Sequence, residues 1–174
     1  MTVSWTPHRF TGGILALDTA NTVVLRNDPG RTFDRFADPA EIARFAEAAS
    51  GFRAAELGGR RLEAPQPGDI AAVVLSIREA TDRLFRDAIA KRAIAAGHLP
   101  DFLTACAKGL SGSSIEIGAP GRPFGDPATP IAFEAALAVS ALSLLRDDTV
   151  ARLRICPNCS WLFIDRSRNS SRLW

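Results

Sequence analysis

From Asp69 the residues Val73, Val74, Ile77, Ala80, Thr81, Leu84, Phe85 and Ala88 recur at three- and four-residue spacing. That period predicts an amphipathic helix of about five turns, longer than the average of roughly 11–12 residues. A helix this long has to be the axis of a small protein, with shorter elements covering its apolar stripe. The chain has 174 residues, 47% of them hydrophobic, enough for one buried core and at most a small appendage.

Shorter helices are punctuated on either side. In "DPAEIARFAEAASG", Asp38 reads as an N-cap, Pro39 as the first helical residue, Glu41 as the capping-box partner and Gly51 as the residue past the end. Its expected buried face is Ile42, Phe45, Ala46 and Ala49. "LPDFLTACAKGL" predicts a helix closing near Gly109, with Phe102, Leu103, Cys106 and Leu110 on one side. After Thr129 and Pro130, "IAFEAALAVSALSLLR" is apolar nearly all round and predicts a buried helix. "GGILALDTANTVV" near the start fits strand or helix, and "SSIEIG" at 113–118 fits a short strand. "GAPGRPFGDPATP" reads as loop, and its lack of lysine excludes a phosphate-binding P-loop. The fold class expected is mainly α (α+β), a helical domain with a few short strands.

Near Asp148, "RDDT" breaks the last long helix, which sets an expected boundary between residues 1–148 and 149–174. Charge changes there too. Net charge is +2 for the chain, but residues 151–174 carry five arginines against Asp165, giving +4 and leaving −2 elsewhere. Two β-prone runs, "RLRIC" and "SWLFID", flank "CPNC" and predict a hairpin whose tight turn can aim Cys156 and Cys159 at one metal ion. Redox chemistry is the rival use of C-x-x-C. It ordinarily places the pair at a helix N-terminus after a strand, and here a strand-like run follows. A spacing with no function is the remaining alternative. His8, His98 and Cys106 read as solvated or structural rather than as further ligands.

Arg154, Arg166, Arg168 and Arg172 are candidate phosphate contacts, with a solvated basic surface as the alternative. Asp165 is expected to pair with Arg168 or to cap the turn that follows. Trp161, Leu162 and Phe163 are expected to pack the hairpin against the helices. A second constellation, Asp18, Asn21 and Arg78, puts polar groups into apolar surroundings. Such groups require partners, so the reading is a buried network with Arg78 meeting Asp18, or the polar floor of a ligand pocket.

"CPNCSWLFIDRSRNSSRLW" resembles the opening of the bacterial CGNR zinc finger, in register from Cys156 to Trp174. "LALDTANT" at 15–22 and "IREATDRLF" at 77–85 are similar to signatures of the ABATE domain that precedes that finger. The resemblance implies a bacterial stress-induced transcription regulator, with a helical sensor, a basic finger and DNA as partner; a cytoplasmic location is the default expectation where no membrane run or secretory pattern is found. It also implies the first half of a treble-clef-like zinc finger. The family's third and fourth ligands follow the position of Trp174, so zinc is expected in the intact protein and no complete site within residues 1–174. A small-molecule effector is a possible further partner. Two alternatives stand beside the regulator: a small-molecule-binding module with a structural or protein-interacting finger, and an enzyme with a polar pocket around Asp18. No nucleophile elbow, H-E-x-x-H or dinucleotide glycine pattern supports catalysis. No apolar run approaches the roughly 20 residues a membrane helix needs, and the start lacks a secretory pattern, so no membrane partner is expected. Oligomeric state is not legible.

Overall fold

A computed structural model describes residues 3–115, 126 and 128–168. Its elements, in chain order, begin with α1 (Leu15–Ala20), β1 (Val23–Val24), β2 (Phe33–Asp34), α2 (Ala40–Phe52), β3 (Leu62–Glu63) and α3 (Pro67–Lys91). They continue with α4 (Leu99–Leu110), β4 (Ile131–Ala132), α5 (Phe133–Ser143), α6 (Asp147–Val150), β5 (Leu153–Ile155) and β6 (Leu162–Ile164). The fold is mainly α, with three two-stranded pairings among the described residues: β1–β2 and β5–β6 antiparallel, β3–β4 parallel. No described helix is long and apolar enough to cross a membrane.

Helix α3 is the axis. It runs 25 residues, about 37 Å at 1.5 Å per residue, and buries Val74, Ile77, Ala80, Thr81, Leu84, Phe85 and Ala88. Helix α4 packs along it and against α5, with Phe102 edge-on to Phe85 at 5.6 Å between ring centroids. Helix α2 buries its expected face and sets Phe45 at the centre of an aromatic cluster with Trp5, Phe10, Phe36 and Phe133. One continuous core runs through all of this and includes Leu153 and Leu162 of the C-terminal hairpin.

The short N-terminal run is helix followed by strand. All six residues of α1 are buried, which a helix tolerates only if its free N–H groups find acceptors. Leu15 N–H donates to Glu56 Oε2 at 2.8 Å and Ala16 N–H to Ser140 Oγ at 3.0 Å. The Ser140 hydroxyl donates in turn to Glu56 Oε1.

Several local expectations are corrected. Glu41 closes no capping box: its carboxylate takes the Val3 N–H at 3.1 Å, the Trp5 indole at 2.9 Å and Arg44 at 2.6 Å, while Asp38 alone caps α2. Gly51 lies inside α2. Helix α4 closes at Leu110, beside Gly109 as expected, and Gly109 permits close approach to α5, since a Cβ there would meet the Glu134 carbonyl at 2.8 Å. Pro130 does not open α5, because Ile131 and Ala132 pair with β3 first. Leu103 is exposed rather than packed beside Phe102. Within 113–118, residues 113–115 form no regular element and 116–118 lie outside the described residues, as does most of the expected loop after them.

Candidate metal hairpin and basic surface

Strands β5 and β6 pair Leu153 with Ile164, Arg154 with Phe163 and Ile155 with Leu162. Cys156 N–H donates to the Trp161 carbonyl and Ser160 N–H to the Cys156 carbonyl, both at 2.9 Å, closing the Cys-Pro-Asn-Cys turn. Ser160 takes up the left-handed conformation at φ 59° to return the chain into β6. Burial opposes ionisation of Cys156. The backbone N–H groups of Cys159 and Asn158, together with the Cys159 thiol, point at its sulfur and hold it below the ordinary thiol range. Burial, and then the Cys156 sulfur itself, push Cys159 the other way.

Sulfurs on one tight turn, one of them facing backbone N–H groups, suit thiolate ligands of a soft cation such as zinc. They also supply only two of about four donors. No third His, Cys, Asp or Glu joins them among the described residues. Cys106 is buried in α4, its thiol pushed up to about 12 by desolvation, while His98 and His8 are exposed. The pair sits between strands rather than at a helix N-terminus, so no helix dipole favours redox use.

The hairpin is fastened to the helices through the outer edge of β6. Asn21 acts as a strand would: its Oδ1 accepts Leu162 N–H at 2.8 Å and its Nδ2 donates to the Leu162 carbonyl at 2.9 Å. Ile164 N–H donates to the Gly12 carbonyl at 3.0 Å, and Arg166 Nη2 reaches the Gly13 carbonyl at 2.9 Å. From α3, Arg86 Nη2 donates to the Ser160 carbonyl at 2.6 Å. Trp161, Leu162 and Phe163 are buried against this seam.

Asp18 and Arg78 do not meet. The partner of Asp18 is Arg53, whose Nε donates to Oδ2 while Oδ1 accepts Gly12 N–H at 2.8 Å. Arg78 forms a two-pronged pair with Asp34, both contacts at 2.7 Å, and its Nε reaches Glu79 at 2.8 Å. Complete burial raises the Asp18 carboxyl to about 7, although Arg53 pulls it down. With no exposed side-chain surface, Asp18 floors no pocket. An open groove of about 950 Å³ lies between the end of α3 and the start of the hairpin, lined by residues that include Ile89, Arg92, Val150 and Leu153.

The basic residues divide. Arg154 folds back onto the carbonyls of Ala151 at 3.0 Å and Leu153 at 2.8 Å, so part of its fork is occupied. Arg166 and Arg168 are exposed. Arg172 lies outside the described residues. Asp165 caps the turn, accepting the Ser167 N–H at 2.8 Å and hydroxyl at 2.6 Å. Glu56, Arg53 and Asp34 complete the buried networks, and no local pattern in the sequence marks them.

A cysteine-turn hairpin seated on a helical domain defines the class: an α domain joined to a C-terminal finger-like hairpin. Residues 13–148 match the ABATE family, described as "Putative stress-induced transcription regulator", and residues 152–174 match the CGNR zinc finger. The chain belongs to the ABATE family. No curated protein and no solved structure matches it.

Proposed function

We propose that this protein is a DNA-binding transcription regulator of the bacterial cytoplasm, in which zinc on Cys156, Cys159 and two further donors shapes a basic finger. The observation carrying this reading is that Arg166 and Arg168 are exposed at the exit of a strand clipped to α1 by Asn21 and Gly12. A cationic surface held in fixed register on a folded domain can meet phosphates without first being ordered. In this reading the chain performs no chemistry on a substrate.

The test is duplex-DNA affinity of the zinc-loaded protein against salt. Each phosphate contact contributes about −0.9 to the slope of log K on log salt, so Arg168→Gln lowers the slope by roughly that amount. Absence of binding at low salt removes the reading. A small-molecule effector is best supported at the groove beside Leu153, because it borders both α3 and β5. An apolar compound retained by the purified protein in native mass spectrometry, and lost on Ala151→Trp, is the expected outcome there.

A further inference from the structure

Ser160 directly follows the second cysteine of the turn and, among the described residues of the hairpin, is the one with a positive φ, 59°. A residue with a Cβ adopts that left-handed conformation at a cost, so its surroundings have to hold it there. Its N–H closes the turn on the Cys156 carbonyl. Its other two polar groups are taken by side chains from outside the hairpin. Arg86 Nη2, from α3, donates to the Ser160 carbonyl at 2.6 Å, and Asn27 Nδ2 donates to the Ser160 hydroxyl at 3.0 Å. Both donors are anchored. Asp82, one turn earlier on α3, accepts Arg86 Nε on both carboxylate oxygens at 2.9 Å and lies 3.3 Å from Arg26 Nε. Arg26 in turn grips Glu79 with its two terminal nitrogens, at 2.7 and 3.1 Å, which ties the residue beside Asn27 to the same helix. The Asp82 side chain is 7% exposed and that of Arg86 21%, so solvent screens this frame little.

We propose that Arg86 is a positioning residue of the metal turn: by fixing the Ser160 carbonyl it keeps Cys159 where both sulfurs can meet one ion, and α3 thereby sets part of the metal affinity. The inference rests on the reading of Cys156 and Cys159 as zinc ligands. Ligand distances are tolerated only within about 0.2 Å of their ideal, and a turn free to leave the left-handed conformation at its last residue carries the second sulfur away. A backbone held beforehand spares the ion that ordering cost. Arg86 does this with its fork, Nε on Asp82 and Nη2 on Ser160, a geometry that the single ammonium of a lysine does not reproduce. The clamp acts on a carbonyl and leaves the amides inside the turn dependent on the ion. Linkage is reciprocal, so whatever draws Arg86 away from Ser160 also loosens the metal.

The experiment measures zinc affinity of the full-length protein by competition with a chromophoric chelator, beside the melting midpoint of each metal-free variant. Arg86→Ala is expected to weaken zinc by about tenfold or more, the scale of losing a group that orients a ligand. Arg86→Lys keeps the charge and the stem but not the fork and weakens it comparably, which keeps the test decisive if Arg86→Ala folds poorly. Ser160→Gly adopts the left-handed conformation without a clamp, so in that background Arg86→Ala costs less than about threefold. A purely structural Arg86 lowers the melting midpoint and leaves zinc affinity within about twofold of the parent, a change too small for an orienting group. That result, or a full tenfold loss persisting beside Ser160→Gly, overturns the proposal. Zinc bound equally by parent and variants removes only this role of Arg86, whereas a parent protein that binds no zinc removes the ligand reading with it.

Discussion

Asp18 shows how a buried side chain couples the fold to pH. Its carboxyl titrates near 7 in the folded chain and near 3.8 when free, so the folded state holds a proton that the unfolded state releases. Stability contributed by this residue is therefore complete below about pH 4 and is lost as pH rises to about 7. At about 1.4 kcal/mol per unit the change is on the order of 4 kcal/mol at most. Burial pushes Glu56 in the same direction. Asp18→Asn should accordingly flatten, without abolishing, the fall in urea midpoint between pH 4 and 7; an unchanged slope would sink this account. That Asp18, Asn21 and Arg78 need partners was legible, because polar groups in an apolar run require them. Which partners they take was not. Arg53 stands 35 positions from Asp18 and Leu162 stands 141 from Asn21, and only the packed helices bring them together.

Elements with a clear amphipathic period were read well: α2, α3 and α4 fall where their spacing predicts, since one buried stripe dictates both period and extent. Ends and fully buried pieces were not. Helix α1 has no polar face to reveal its period, and β4 consists of two residues that hydrogen bonding to β3 draws away from α5. Glycines separate the two situations. Gly51 of α2 has open space where a Cβ would stand, so Gly51→Ala should stabilise by about 0.5–1 kcal/mol through helix propensity. A Cβ on Gly109 of α4 would stand 2.7 Å from Ile77 Cδ1 and 2.8 Å from the Glu134 carbonyl oxygen. The carbonyl cannot move without α5, so Gly109→Ala should cost about 1–3 kcal/mol net of the propensity it gains. Urea denaturation of the two variants gives opposite signs if helix contact, rather than backbone freedom, decides each position.

At the scale of the whole molecule the hairpin is half finger and half core. A structural zinc site ordinarily contributes on the order of 10 kcal/mol to a small finger, which is unfolded without it. Here Leu153 and Leu162 belong to the same core as the helices, and the outer edge of β6 is closed by Asn21 and Gly12. In the proposed zinc-bound protein, metal and core would therefore hold different parts of one hairpin. Chelation of the metal-loaded protein should release the amides of the Cys156–Ser160 turn to hydrogen exchange and leave Leu162 and Ile164 protected. Asn21→Leu should do the reverse. It strips both partners from Leu162, at about 1–3 kcal/mol for each buried group left unpaired, while the thiols keep their ion. Loss of protection at Leu162 together with that of α1 on chelation would mean that the metal, not the clip, joins hairpin to helices. A clip that outlasts the metal would make α1 one route by which a change in the helical domain reaches the finger, because Asn21 and the Gly12 carbonyl bind the outer edge of β6.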